Sequence, residues 1–193
     1  MESLKKILKN VEAVSVTGSL KTRVRNICFD SRKLAADDVY VAVKGTRADG
    51  HSFIPEVVKK GALAVVCEEM PRETQKECCY IKVRDSHKAL ALMSSNFYDN
   101  PSEKLNLVGV TGTNGKTTIA SLLYSLFTDL GYKCGLLSTI QTLVAGKPGL
   151  ATHTTPDPVQ INSLLSEMTE EGCEYAFMEV SSHAADQKRI AGL

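Results

Sequence analysis

The chain has 193 residues, room for one large domain or two small ones at roughly 100–200 residues per domain. Hydrophobic residues make up 43% and charged residues 23%, the balance of a folded globular protein rather than a disordered one. Lys plus Arg is 23 and Asp plus Glu is 22, a net charge of +1, which excludes nucleic acid or a membrane surface as a partner captured by bulk charge.

The first third alternates short apolar runs with turn signals. Asn26-Ile27-Cys28-Phe29 and the β-branched run Val39-Tyr40-Val41-Ala42-Val43 predict strands. A polar loop from Thr46 to Gly50 leads into a short helix with Ile54, Val57 and Val58 on one face, ended by Gly61. Ala64-Val65-Val66-Cys67 and Tyr80-Ile81-Lys82-Val83 predict further strands, and residues 86–98 a helix with Leu90, Met93 and Phe97 at helical spacing. Strand, helix and strand within about 30 residues mark a βαβ unit. Asp99-Asn100-Pro101-Ser102 predicts a linker, because proline biases its predecessor away from helix.

Beyond the linker the α/β alternation sharpens. Leu105–Val110 predicts a strand, and residues 111–116 a glycine-containing loop. Thr117–Leu130 predicts a helix with Ile119, Leu122, Leu123, Leu126, Phe127 and Leu130 on one stripe, closed by Gly131. A strand at Gly135–Thr139 and a polar segment holding His153-Thr154-Thr155-Pro156-Asp157 follow. A helix bearing Ile161, Leu164, Leu165 and Met168 then leads into a third strand, Tyr175–Val180.

No run approaches the roughly 20 apolar residues of a membrane span. Met1-Glu2-Ser3-Leu4-Lys5-Lys6 carries charge without an apolar run or cleavage site, so the expectation is a cytoplasmic protein without membrane insertion. The six cysteines are scattered with no C-x-x-C spacing, and read as buried thiols in a reducing compartment rather than zinc ligands.

The strongest chemical signal is Gly109-Val110-Thr111-Gly112-Thr113-Asn114-Gly115-Lys116-Thr117-Thr118, between a strand and an amphipathic helix. Gly112 and Gly115 let the backbone approach a polyphosphate and turn its N–H groups inward. The helix start adds its dipole. Lys116 reaches the β- and γ-phosphates, and the Thr117 hydroxyl is placed to ligate Mg²⁺. The generic phosphate loop wants glycine at position 110, where this chain has Val110. A second metal ligand is expected at the end of a neighbouring parallel strand, and Glu179, ahead of Val180-Ser181-Ser182-His183, fills that place.

These residues carry a family resemblance. Gly-Thr-Asn-Gly-Lys-Thr-Thr is similar to the ATP loop of the Mur ligases, which build the peptide of the peptidoglycan precursor. Glu179-Val180-Ser181-Ser182-His183 with Gln187 and Arg189 resembles the branch that adds the third residue, diaminopimelate or L-lysine, to UDP-N-acetylmuramoyl-L-alanyl-D-glutamate. Asp30-Ser31-Arg32, Asp38–Gly45, Ala48-Asp49-Gly50-His51 and Gly61-Ala62 resemble that branch's UDP-binding domain.

The resemblance implies an α/β fold in two parts. Residues 1–103 would form the UDP-binding domain, and 104–193 the first half of a phosphate-loop, parallel-sheet ATPase domain. It implies ATP as substrate and Mg²⁺ as metal, with Gly112, Thr113, Asn114, Gly115, Lys116, Thr117 and Thr118 on ATP. Lys116 and Glu179 would be catalytic, and Thr117 and Glu179 would hold the metal. Phe29, Ser31 and the loop Thr46-Arg47-Ala48 would contact the UDP end of the substrate. His153 stands where the family commonly has Asn, followed by Thr154 and Thr155 toward the muramoyl-peptide. Ser181, Gln187 and Arg189 would line the same pocket. His183 would orient its neighbours, and His51 and His87 read as structural or surface residues.

The implied reaction phosphorylates a D-glutamyl carboxylate and resolves the acyl phosphate with an amine. The chain reads as an N-terminal portion that binds ligands without forming the amide bond on its own. Two alternatives stand beside this reading: a module that binds the UDP-precursor and ATP without turnover, and a sister ligase of the same family.

Overall fold

The structure, a computed structural model, describes residues 1–45, 48–149 and 155–193. It divides into two compact units, Met1–Phe97 and Tyr98–Leu193.

In the first unit the elements run β1 (Glu2–Ser3), α1 (Leu4–Ile7), β2 (Ala13–Thr17), β3 (Arg23–Val24), β4 (Ile27–Cys28), β5 (Val39–Val41), α2 (Ile54–Lys59), β6 (Ala64–Cys67), β7 (Cys79–Val83) and α3 (Ser86–Phe97). The sheet order is β2-β7-β6-β5-β4. All its pairs are parallel except β2 on β7, which is antiparallel with a register shift between Ala13 and Ser15. Every residue of β5 and β6 is buried, as parallel strands covered on both faces require. Ile54, Val57 and Val58 of α2 pack with Tyr40, Val65 and Tyr80 in one core. Asn96 of α3 donates through Nδ2 to the carbonyls of Ile7 (2.8 Å) and Lys9 (2.6 Å), closing the end of α1. The elements absent from the sequence expectation, β1, α1, β2 and β3, are short. β2 is exposed along its whole length.

The second unit runs β8 (Asn106–Val110), α4 (Lys116–Asp129), β9 (Cys134–Leu137), β10 (Thr142–Val144), β11 (Lys147–Gly149), α5 (Pro158–Glu170), β12 (Tyr175–Glu179) and α6 (Ser182–Asp186). Its sheet order is β11-β10-β9-β12-β8. β8, β12 and β9 form the expected parallel sheet, with the last strand in sequence inserted between the first two. The antiparallel hairpin β10–β11 extends it. A turn of 3-10 helix at Pro101–Glu103, in the segment expected as a linker, packs on β8 and α5.

Two cores cover the two faces of this sheet. Met168, Ile161 and Leu165 of α5 pack with Leu137, Ala176 and Met178. Gly135 makes this approach possible: a Cβ there would lie 2.6 Å from Met168 Cε. On the opposite face Ala120 packs with Val110, Leu136 and Phe177, and the Phe127 ring meets Tyr175 at 4.6 Å and Phe177 at 5.3 Å.

The helix forms as expected, as α4, but its apolar stripe is only partly covered. Only Ala120 is fully buried and Leu123 and Phe127 partly so, while Ile119, Leu122, Leu126 and Leu130 are 49–64% exposed. Here β8 is the edge of the sheet, so α4 has a sheet beneath one flank only.

Candidate functional site

Parallel strands aim their C-terminal ends at one edge of the sheet, where open α/β sheets bind ligands. The register pairs Glu179 with Val110 and Met178 with Leu137. The segments leaving β8, β12 and β9 therefore start side by side, and they carry Thr111–Gly115, Val180-Ser181 and Ser138-Thr139.

Val110, where a generic phosphate loop has glycine, is the last residue of β8 and is buried. The loop proper starts at Thr111. Gly112 (φ +147°) and Gly115 (φ +78°) both lie in the region that favours glycine. Gly115 occupies the N-cap of α4 and supplies no side-chain cap. The first-turn N–H groups of Lys116, Thr117 and Thr118 consequently lack partners within the helix, and they point toward the loop with the positive end of the helix dipole. Lys116 Nζ donates to Gly112 O at 2.8 Å, so its ammonium crosses the mouth of this loop. Thr113 and Asn114 are exposed on the loop and Thr118 on the helix start.

Glu179 is the centre of the polar contacts at this edge. Its side chain is buried, with the residue only 1% exposed, and it accepts from three donors. Thr117 Oγ1 donates to Oε2 at 3.0 Å. Thr139 donates its backbone N–H to Oε1 at 2.8 Å and its hydroxyl to Oε2 at 3.1 Å. No motif marks Thr139 in the sequence, where it reads as the end of a strand; β9 stops at Leu137, and the contact depends on the turn that follows. That turn is closed by Ser138, whose N–H and Oγ both donate to Gln141 O, at 3.0 and 2.9 Å.

Behind Glu179 a second cluster forms. Thr155 Oγ1 donates to Glu179 O at 2.9 Å and accepts from Ser181 N at 3.1 Å. Ser181 caps α6 by accepting from Ala184 N. Arg189 donates from Nη1 to Thr155 O at 2.7 Å, and from Nε and Nη2 to Gln187 Oε1 at 2.9 and 2.6 Å. Thr155, Ser181, Gln187 and Arg189 thus form one connected network. His183 lies on the exposed side of α6. The expectations for Thr46, Arg47, His153 and Thr154 fall outside the described residues.

The first unit has its own constellation at the C-terminal ends of β4 and β5. Phe29 is half-buried, and Ser31 is buried with its carbonyl accepting from Lys60 Nζ at 2.9 Å. Between them Asp30 is gripped by Arg32, whose side-chain hydrogen bonds of 2.9 and 2.8 Å hold the carboxyl down at about 2. The Ala48 carbonyl accepts from Gly45 N at 3.0 Å. Gly50 follows, where a Cβ would lie 2.7 Å from Val43 O. His51 is structural: Nδ1 meets Asp49 Oδ1 at 2.6 Å and Nε2 accepts from Glu68 N at 2.9 Å. His87 Nε2 lies 3.2 Å from Lys44 O.

All six cysteines are free and buried, and burial pushes the thiols of Cys67 and Cys78 up to about 11. Among the described residues no cluster of His, Cys, Asp or Glu could hold a metal ion by itself. Nor, among the described residues, is any helix long and apolar enough to cross a membrane.

Comparison with known proteins places both units in one family. Residues 23–98 match the model described as Mur ligase family, catalytic domain, and residues 110–193 the Mur ligase middle domain. The chain is 55% identical over 191 residues to the UDP-N-acetylmuramoyl-L-alanyl-D-glutamate--2,6-diaminopimelate ligase of Cytophaga hutchinsonii. It is 47% identical over 190 residues to the ligase of the same name from Bacteroides thetaiotaomicron. Both matches cover 98% of this chain and 39% of the relative, so the chain spans about two fifths of their length. Among solved structures, a diaminopimelate ligase of that name superposes with a TM-score of 0.77 at 24% identity, over 99% of this chain and 38% of that one. The MurF ligase of Thermotoga maritima in complex with ADP superposes with a TM-score of 0.55 at 24% identity, over 83% and 33%. These two superpositions speak to the fold. With both of its units matched, the chain belongs to the Mur ligase family.

Proposed function

We propose that this chain serves the ATP-dependent ligation of diaminopimelate to UDP-N-acetylmuramoyl-L-alanyl-D-glutamate in the cytoplasm, as the part that binds the UDP-precursor and the ATP phosphates. The observation that carries the proposal is the joining of the phosphate loop to the buried carboxylate of Glu179 through Thr117. The identity to ligases named for diaminopimelate supports the choice of amino acid.

Each residue has a physical task in this reading. Gly112–Gly115 and the free N–H groups of the α4 first turn cradle the phosphates, with Thr113, Asn114 and Thr118 on the loop and helix start. Lys116 exchanges the carbonyl of Gly112 for phosphate oxygens and neutralises charge that grows on the transferred group. The donor set of Thr117 and Glu179, one hydroxyl and one carboxylate, consists of the hard oxygens that Mg²⁺ takes, so these residues fit the ion. Bound there, Mg²⁺ would supply electrostatic neutralisation of the polyphosphate. Thr155, Ser181, Gln187 and Arg189 hold the muramoyl-peptide end, with Thr154 and His153 in the same segment. Phe29, Ser31, Thr46, Arg47 and Ala48 hold the UDP end. Positioning of the D-glutamyl carboxylate in line with the γ-phosphate lets a carboxylate oxygen displace ADP to give an acyl phosphate, and an amine then attacks its carbonyl, expelling inorganic phosphate and losing a proton to give the amide.

Thermal unfolding with ligands tests the substrate assignment. UDP-N-acetylmuramoyl-L-alanyl-D-glutamate is expected to raise the melting temperature and folylpolyglutamate to leave it unchanged. The opposite pattern would assign the chain to a folate-type relative.

A further inference from the structure

We propose that Thr139 is a positioning residue: it fixes the carboxylate of Glu179 in the orientation that receives the nucleotide's divalent cation. The inference rests on the nucleotide reading above and extends it to a residue outside the phosphate loop and outside β12.

The geometry is specific. A lone carboxylate at a strand end rotates freely about its last torsion, which is broad for glutamate. Here the rotation is blocked from both oxygens by one residue. The Thr139 backbone N–H holds Oε1 at 2.8 Å while its hydroxyl holds Oε2 at 3.1 Å, a two-point grip that defines the carboxylate plane. Among the described residues the carboxylate's other side-chain partner is Thr117, at Oε2, and Thr117 is the residue whose hydroxyl the metal needs. A carboxylate oriented by Thr117 alone would lose its anchor when that hydroxyl turned to the cation. Thr139 is not on the loop and keeps its grip.

Thr139 is itself held. It sits in the turn between β9 and β10, closed by Ser138 to Gln141. Glu179 is buried while Thr139 is exposed, so the threonine forms the solvent side of the carboxylate's enclosure. Partners of a metal ligand that fix its orientation typically change metal affinity by 10–100-fold when removed.

The test compares ADP affinity by titration calorimetry in Mg²⁺ and in EDTA, for the wild-type chain, Thr139→Val and Thr139→Ser. Valine keeps the shape and the backbone N–H but removes the hydroxyl; serine keeps the hydroxyl. Thr139→Val is expected to cut the Mg²⁺-dependent gain in affinity about tenfold while leaving affinity in EDTA within about twofold, and Thr139→Ser to restore the gain. A Thr139→Val chain with the full gain, or one that loses affinity equally in both buffers, would overturn the proposal.

A double-mutant cycle of Thr139→Val and Glu179→Gln on thermal stability, in buffer free of metal and nucleotide, reads the contact by itself. Non-additive losses are expected, and additive ones would overturn the positioning role. A wild-type chain that binds no ADP in either buffer would instead overturn the nucleotide reading, and the metal half of this proposal with it.

Discussion

Thr117 Oγ1 and Glu179 Oε2 lie 3.0 Å apart, joining the first turn of α4 to the last residue of β12. One is the residue after the phosphate-loop lysine, the other a buried carboxylate 62 positions later in the chain. Register makes the contact: β12 lies beside β8 with Glu179 opposite Val110, so the strand's last side chain meets the helix that follows its neighbour.

Replacement of Glu179 by alanine should therefore affect stability and ligand binding together. It removes the charged acceptor shared by the Thr139 N–H and the hydroxyls of Thr117 and Thr139, at a cost of about 1–3 kcal/mol. Chemical denaturation is the measurement. Glu179→Gln retains one acceptor oxygen and should lose less stability than Glu179→Ala, while Mg²⁺ no longer strengthens ADP binding.

Gly135→Ala tests the packing of β9 under α5. The added methyl meets the Met168 thioether, and overpacking of this kind costs about 1–3 kcal/mol. Pairing it with Met168→Ala should recover part of the loss, because the obstructing atoms are the far end of that side chain. Urea midpoints of the two single variants and the double variant measure this.

The Asp30–Arg32 pair sets an acid-side signature. Asp30 titrates at about 2 in the folded chain against an ordinary 3.8, chiefly through the side-chain hydrogen bonds from Arg32. Because the folded value is the lower one, the stabilisation is full above about pH 4 and disappears as pH falls through about 2. Arg32→Ala should move the Asp30 titration, followed by NMR, back toward the ordinary carboxylate range. The pair is exposed on the arginine side, so global stability at pH 7 should change little.

Cys67 and Cys78 should be inert in the native state. Burial holds both near 11, which leaves very little thiolate at pH 8. Reaction with a disulfide reagent at that pH should wait for unfolding, and prompt labelling of either thiol would contradict the buried placement.

Much of the parallel framework is legible in the sequence, because buried strands are written as unbroken β-branched runs. Ala64-Val65-Val66-Cys67 is the plainest case, and the glycine loop with Lys116-Thr117 stands between a strand and a helix that both declare themselves. The hairpin β10–β11 is harder to read. Its turn uses Ala145 and Gly146 at positive φ in place of the usual Asn-Gly pair, and Pro148 in β11 argues against a strand until that strand is known to lie at the sheet's edge. Thr139 is invisible for a related reason: its partner is fixed by the pairing of β9 with β12, which no local pattern encodes. The exposure of Ile119 and Leu122 follows equally from sheet order, since a helical stripe states which residues are apolar and not how many flanks are covered.

The most direct test of the phosphate site is calorimetric titration of ADP with Mg²⁺ into the wild-type chain and into Lys116→Ala. Lys116 lies at the loop mouth, and its long side chain contributes little to packing, so the variant should keep the wild-type melting temperature. The account predicts saturable binding by the wild type and a loss of about 10- to 100-fold in Lys116→Ala, as expected for removal of a charge-assisted contact. Binding of UDP-N-acetylmuramoyl-L-alanyl-D-glutamate should be unchanged. Equal ADP affinity in the two proteins, or no binding by the wild type, would contradict it.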